Sequence, residues 1–285
     1  MAIEVQNATK RYDKVAALDN VSVRFGDNKI YGLLGNNGAG KSTLLNLITN
    51  RIFADEGSVR IDGADVRNND RALGRAFMMG ETNLYPDGMR VRKALQTTAR
   101  FYPDFDMQKA CTLSERFHLD LRKKITSLST GYASIFRLVL GLSVNTPYLL
   151  LDEPVLGLDA QHRDMFYRLL MEEYALKPRT VIVSTHLISE VESIVEHVVI
   201  IRDGRIVSDA PTEELLSQAY SVTGPAALTD SFLVGKKTLS QSAIGGIKTA
   251  CVQGSPEDVP DGLEIGRVAL QDYFNSLMNS EEESK

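Results

Sequence analysis

Alternating hydrophobic and polar residues mark the first part of the chain. Residues 3–6 and 21–25 alternate in this way, which is typical of strands with one buried face. A turn signal at residues 26–28 follows the second run, and residues 58–66 again have the pattern of a strand, a turn and an edge strand. The pattern predicts a small antiparallel sheet at the N-terminus.

Continuous apolar runs occupy residues 30–34, 148–151 and 180–185, and they predict buried strands of a core sheet. From residue 86 to about 146 the periodicity is helical, which predicts a helical subdomain inserted between the two halves of that sheet. Ser129 places a hydroxyl at the start of the last helix, and Pro147 is predicted to end that helix. Residues 198–207 predict a hairpin.

Beyond residue 211 the character of the chain changes. Residues 221–262 are rich in Gly, Ser, Thr and Pro, with only short apolar groups. Helical spacing of apolar residues returns near the end of the chain, at Leu270, Tyr273, Phe274, Leu277 and Met278. We therefore expect residues 212–285 to form a small appendage with a terminal amphipathic helix, or alternatively a separate binding site, and residues 280–285 to be disordered.

Composition limits the classes of partner. A net charge of −5 over 285 residues gives no general affinity for nucleic acid, and none is expected as a partner. The two cysteines, Cys111 and Cys251, lack metal or disulfide spacing, which suits a reducing compartment. No apolar run approaches the roughly 20 residues that a membrane span requires. These features predict a cytoplasmic protein.

A glycine-rich loop carries the most specific signal in the sequence. It follows the run at residues 30–34, precedes a predicted helix at residues 44–48, and matches the pattern of a phosphate-binding loop. Such a loop points backbone N–H groups at a pyrophosphate, while its lysine reaches the terminal phosphates and its serine hydroxyl suits Mg²⁺. The alternative is a flexible turn with an exposed lysine. The loop consists of Gly35, Asn36, Asn37, Gly38, Ala39, Gly40, Lys41, Ser42 and Thr43.

Polar residues that follow the other two buried runs suit phosphate chemistry. Asp152 and Glu153 come directly after one run, where Asp152 can hold Mg²⁺ and Glu153 can take a proton from an attacking water. His186 ends the other run and can donate a hydrogen bond to a phosphate oxygen or to that water. The alternative for the two carboxylates is an acidic strand end at the surface.

An aromatic residue, Tyr12, lies in a polar connection between the first two alternating runs. Its ring is suitably placed to stack on a planar base. The alternative is an ordinary surface tyrosine. Tyr12 is therefore a candidate contact for the base of a nucleotide.

Together these residues resemble the ATP-binding cassette (ABC) family, over residues 1–211. The loop at residues 35–43 resembles the Walker A motif, residues 149–153 the Walker B motif, and Leu-Ser-Thr-Gly-Tyr at residues 128–132 the family signature. Leu158 and Asp159 resemble the D-loop, His186 the switch histidine, and Tyr12 the adenine-stacking aromatic. The resemblance implies an α/β P-loop NTPase with a mixed core sheet, an N-terminal antiparallel subdomain and an inserted helical subdomain.

The resemblance also implies ATP and Mg²⁺ as cofactors and a working pair of cassettes. In such a pair, Ser129 and Gly131 of one subunit close over ATP bound to the Walker A loop of the other. Two motifs depart from the family pattern. Thr130 and Tyr132 replace a glycine and a glutamine of the signature, and Gly80 stands where the family has a glutamine that reaches Mg²⁺. We expect Glu81 to act as a metal ligand in its place, or Mg²⁺ to keep an additional water.

Among cassettes, the chain most resembles the ATPases of bacterial ABC-2-type exporters, including those for antibiotics or peptides. This implies a separate membrane permease as partner, a second cassette of the same or another chain, and a location at the cytoplasmic face of the membrane. Two alternatives stay open: a cassette ATPase of a soluble assembly complex, and a catalytically silent regulatory cassette.

Overall fold

The computed structural model describes residues 1–80 and 82–279. It divides into two compact units, the first made of Met1–His186 and Val199–Asp209, the second of Leu187–Val198 and the chain from Ala210 onward. No helix in these residues combines the length and the apolar character needed to cross a bilayer. Glu81, the expected metal ligand, and residues 280–285, the expected disordered end, lie outside the described part.

The elements up to residue 211 are as follows in chain order: β1 (Ala2–Tyr12), β2 (Val15–Gly26), β3 (Ile30–Leu34), α1 (Lys41–Ile48), β4 (Glu56–Ile61), β5 (Ala64–Asp65), α2 (Asp70–Leu73), β6 (Ala76–Met79), α3 (Val91–Phe101), α4 (Met107–Arg116), a 3-10 turn (Ile125–Ser127), α5 (Thr130–Ser143), β7 (Tyr148–Asp152), α6 (Ala160–Leu176), β8 (Thr180–Thr185), α7 (Ile188–Val191), β9 (His197–Arg202) and β10 (Arg205–Pro211).

The N-terminal sheet is antiparallel, with strand order β2-β1-β4-β5. β2 and β4 alternate largely between buried and more exposed residues, as the sequence pattern predicts, whereas β1 alternates only over part of its length. β1 and β2 are longer than predicted, because register shifts between Val5 and Arg11 carry the pairing through the polar stretch. Tyr12 is consequently the last residue of β1 and does not lie in a loop.

The core sheet has six strands in the order β10-β9-β3-β8-β7-β6. Pairing is parallel from β3 to β6, and every residue of β3, β7 and β8 is buried, which explains their uninterrupted apolar sequences. The β9–β10 hairpin turns at Asp203 and Gly204, both with positive φ, as the sequence predicts. The sequence analysis does not predict β6, whose four residues are too few to establish a periodicity.

Helices α3, α4 and α5 lie in the chain between β6 and β7, in agreement with the predicted helical insertion. Ser129 caps α5 by accepting a hydrogen bond from the Tyr132 N–H at 3.4 Å. The prediction that Pro147 ends α5 is wrong, since the helix ends at Ser143. The extended backbone at Val144 already breaks the helical hydrogen bonding there.

The second unit contains more structure than its composition suggests. Its further elements are α8 (Thr212–Ser217), β11 (Ala219–Pro225), α9 (Ala226–Leu233), β12 (Thr238–Ile244), β13 (Ile247–Gln253), β14 (Glu264–Gly266) and α10 (Leu270–Asn279). The strands form an antiparallel sheet in the order β12-β13-β11-β14. A small core that includes Tyr220, Val222 and Phe232 stabilises the unit. The predicted amphipathic helix is α10, whose Leu270 and Phe274 are buried.

Candidate nucleotide site

The loop between β3 and α1 has a backbone that only glycine permits at key positions. Gly40 has φ 112°, and a Cβ there would lie 2.5 Å from the Ala17 carbonyl oxygen of β2. At Gly35 a Cβ would lie 2.4 Å from the Ile201 carbonyl oxygen of β9. Strands on both sides therefore hold the loop in place, and α1 starts immediately after it with its N-terminal N–H groups available for an anion.

Lys41 is buried, with 5% of its surface exposed. Its Nζ donates to the Gly35 carbonyl at 2.6 Å and the Asn36 carbonyl at 3.2 Å, and lies 3.6 Å from Glu153 Oε1. Burial lowers the pKa of Lys41, while the carboxylates of Glu153 and Asp152 act in the opposite direction. The ammonium group therefore lies inside the loop, where it can contact a bound phosphate.

Asp152 ends β7 opposite Ser184 of β8. The Ser184 hydroxyl donates to Asp152 Oδ1 at 2.9 Å, and the Ser42 hydroxyl also hydrogen-bonds to this carboxylate. Burial raises the pKa of Asp152, and the Glu153 charge adds to the rise, so a cation would stabilise its ionised form. A carboxylate beside a serine hydroxyl and a phosphate loop is a donor set that fits Mg²⁺.

Glu153 has an uncommon backbone, with φ 46°, and its N–H donates to the Ser184 carbonyl at 2.9 Å. This conformation directs the side chain toward the end of β8. Thr185 Oγ1 donates to Glu153 Oε2 at 3.1 Å, and His186 Nδ1 lies 3.0 Å from Oε1. The tertiary structure thus brings the acid and the histidine of two separate apolar runs into direct contact.

The base-stacking candidate, Tyr12, is 49% exposed at the end of the β1–β2 hairpin. Lys10 Nζ lies 5.6 Å from its ring centroid. The same hairpin approaches the phosphate loop where Ala17 faces Gly40. Its ring is therefore accessible on an element that contacts the loop.

Ser129 is exposed, and Thr130 and Gly131 lie beside the Gly157 turn that follows β7. The structure therefore groups Lys41, Ser42, Asp152, Glu153 and His186 in one cluster, and it places the signature serine at a helix start next to the D-loop. Among the described residues there is no group of three or more His, Cys, Asp or Glu that could hold a metal without phosphate oxygens.

Two arginines that the sequence did not single out contact the Gly80 segment. Arg51 Nη2 donates to the Met78 carbonyl at 2.9 Å, and Arg137 Nη1 donates to the Gly80 carbonyl at 3.3 Å. Neither arginine belongs to a motif, and their separation in sequence hides the contact. Only the folded chain brings them together.

A family model described as ABC transporter matches residues 18–156. The ABC transporter ATP-binding protein YtrB of Bacillus subtilis (strain 168) is 30% identical over 220 residues, which are 77% of this chain and 75% of YtrB. The chain belongs to the ABC transporter family. It is an ATP-binding ATPase subunit of this family, and the predicted ABC-type α/β fold is confirmed.

Other ABC relatives differ in the direction of transport that their names give. The zinc uptake system ATP-binding protein ZurA of Listeria monocytogenes is 30% identical over 74% of this chain and 86% of its own length. The Nod factor export ATP-binding protein I of Burkholderia thailandensis is 28% identical over 98% of this chain and 94% of its own length. Similarity to ABC subunits therefore does not by itself give a direction.

A solved dimeric ATP-binding cassette, bound to ADP and Pi in a post-hydrolysis state, has the same fold. The TM-score is 0.66 at 22% identity, and the match covers 74% of this chain and 98% of that one. The matched portion corresponds to a whole cassette of that structure. About a quarter of the present chain lies outside the match.

Proposed function

We propose that Lys41, Ser42, Asp152, Glu153 and His186 form the hydrolytic site. The loop N–H groups and Lys41 bind the phosphates, Ser42 and Asp152 hold Mg²⁺, Glu153 accepts the proton of the attacking water, and His186 orients the terminal phosphate. Glu153 lies within hydrogen-bonding distance of His186 and close to Lys41, and this contact is the observation that carries the assignment. Tyr12 stacks on the adenine.

The complete site requires a second cassette. Ser129 is exposed at the N-terminus of α5, a helix of 14 residues whose first N–H groups suit a phosphate. The two residues that follow Ser129, Thr130 and Gly131, lie against the Gly157 turn. Ser129 and Gly131 therefore bind ATP held by the partner cassette, and ATP stabilises the closed pair by contacting both faces.

Residues 1–211 form the ATPase domain, with a helical subdomain at about 86–146, and residues 212–285 are an appendage. The domain serves an exporter of a small molecule, peptide or antibiotic whose permease is a separate polypeptide at the cytoplasmic membrane. The presence of an apolar groove of about 680 Å³ supports the proposal that a partner docks on this domain. The groove is lined by Leu84, Tyr85, Phe101, Phe136 and Leu140, of which Leu84 and Phe101 are 64% and 77% exposed.

Isolation of the tagged chain from membranes, followed by identification of the proteins that accompany it, tests this function. We expect a polytopic membrane protein to accompany the wild type. Leu84→Asp should lose that partner while keeping the ATPase rate, because a charge in the groove opposes apolar docking. Leu176→Asp, at an exposed apolar site on α6, is the matched control. Recovery of a soluble assembly complex instead would contradict the transport assignment.

A further inference from the structure

Gly80 lies at the edge of the hydrolytic cluster. β6 pairs with β7 in parallel register, with Met79 opposite Leu151, so the next residues along the two strands are Gly80 and Asp152. A side chain at position 80 would therefore start beside the Asp152 end of β7. Gly80 has none, and its backbone φ is not in the positive region that favours glycine.

Arg51 lies immediately beside the Cβ position of Gly80, and both residues line the groove described above. Arg51 follows α1 closely in the chain, and its Nη2 donates to the Met78 carbonyl at 2.9 Å. A Cβ on Gly80 would lie 3.2 Å from Arg51 Nη1, which is tighter than most Cβ contacts, so the guanidinium group would have to shift by a few tenths of an ångström. Desolvation lowers the pKa of Arg51, while Tyr102 and the Asp152 carboxylate act in the opposite direction. The guanidinium group nonetheless stays protonated at neutral pH.

Arg137 contacts the same segment from α5. Its Nη1 donates to the Gly80 carbonyl at 3.3 Å, and its Nη2 donates to Ser134 Oγ at 2.8 Å. The Ser134 hydroxyl in turn donates to the Leu156 carbonyl at 2.8 Å, three residues after Glu153. This hydrogen-bonded chain connects the segment after β6 with the signature helix and with the segment after β7.

We propose that Arg51 and Arg137 are positioning residues that clasp the Gly80 segment from two sides, and that Arg51 takes the space of a longer side chain at position 80. The clasp fixes the end of β6 relative to α1 and links it through Ser134 to the backbone beyond Glu153. It deepens the proposed hydrolytic site and rests on that assignment. Arg51 and Gly80 should therefore be energetically coupled.

A double-mutant cycle in the purified full-length chain tests the coupling. The variants are Gly80→Gln, Arg51→Ala and the combination, with kcat and KM for MgATP and thermal unfolding measured for each. We expect kcat to fall about 10-fold in Gly80→Gln and about 5-fold in Arg51→Ala, with KM within about 2-fold, because misplaced catalytic groups affect turnover more than ATP binding. The combination should fall no further than Gly80→Gln alone, since Arg51→Ala opens space for the new side chain.

Several results would overturn the clasp: wild-type kcat in both single variants, or losses that multiply to about 50-fold in the double variant, as independent sites require. Arg51→Lys should recover only part of the rate, because a lysine ammonium group cannot reproduce the planar donor geometry of the Arg51 guanidinium group.

The Lys41→Ala variant distinguishes failure of the clasp proposal from failure of the hydrolytic-site assignment. If Lys41→Ala keeps the wild-type rate, the hydrolytic assignment fails. If it is inactive while the cycle shows no coupling, the clasp alone fails.

Hydrogen exchange gives a readout independent of turnover. Arg137→Ala should speed amide exchange in residues 78–86, because the Gly80 carbonyl loses its link to α5. Arg116→Ala, at an exposed arginine of α4, is the matched control and should leave this exchange unchanged. Unchanged exchange in Arg137→Ala would remove this arm of the proposal.

Discussion

Replacement of Glu153 by glutamine is the sharpest test of the site. The change removes a negative charge but keeps the size of the side chain and its contact with Thr185 Oγ1, 3.1 Å away. Glutamine cannot accept a proton from water. Because a positioned general base contributes about 10²- to 10⁴-fold, we expect kcat to fall at least about 10²-fold, or about 2.7 kcal/mol of transition-state stabilisation.

ATP binding and folding should change much less. Glu153 Oε1 lies 3.6 Å from Lys41 Nζ. At an effective dielectric constant of about 20, unit charges at this distance attract by about 5 kcal/mol, but desolvation of both groups offsets most of that energy. Lys41 keeps its hydrogen bonds to Gly35 and Asn36. We therefore expect a change of about 1 to 2 kcal/mol in the free energy of unfolding and a KM within a few-fold of wild type.

The assay is steady-state release of phosphate from MgATP, with equilibrium ATP binding and urea unfolding measured on the same preparations. Glu172→Gln, an exposed glutamate on α6, supplies the matched control and should match wild type. A Glu153→Gln variant that is folded, binds ATP and turns over within a few-fold of wild type would assign the general base to another group. It would refute the reasoning from the Glu153–His186 contact.

Three further outcomes are expected. Tyr12→Ala should raise the ATP dissociation constant about 5- to 100-fold through lost stacking, whereas Tyr12→Phe should bind normally in a fluorescence titration. Ser129→Ala should destabilise α5 by only about 0.5 to 1 kcal/mol yet lower ATPase activity more than about 10-fold in the paired cassettes, with Ser127→Ala unaffected in activity. Burial raises the pKa of the Cys251 thiol to about 11. The native state keeps that proton between about pH 9 and 11, so stability falls as pH rises through this window, and urea unfolding should show the wild type losing up to about 2 kcal/mol relative to Cys251→Ala.

Local sequence is enough to recognise the phosphate loop and its neighbours. The glycine loop lies between an apolar run and a helix in nine consecutive residues, Gly35 to Thr43, and local backbone geometry decides its shape. Apolar runs before Asp152 and His186 predict buried strands, because each residue of such a strand is covered on both faces. Parallel strands then bring their carboxyl ends to one edge.

The second unit illustrates the opposite case. Strands β11 and β12 contain several Ser, Thr and Gly residues, so their alternation gives a weak signal, and β11 pairs with β13 and β14, which lie farther along the chain. Among these described strands, only β12 and β13 are joined by a short turn, at Gly245 and Gly246. The full length of β1 and β2 is likewise absent from the sequence pattern, because register shifts let polar residues stay within a sheet. In such segments tertiary packing overrides local preference.

By itself, the sequence determined the phosphate loop, the buried strands with their terminal acids and histidine, and hence the ABC type of fold, since these depend on patterns within a few residues. Only the tertiary structure decided that Glu153 contacts His186, that Ser129 faces outward, and that Arg51 and Arg137 enclose Gly80. Contacts between residues far apart in the chain leave no local pattern, because loop closure and packing of whole elements set their geometry.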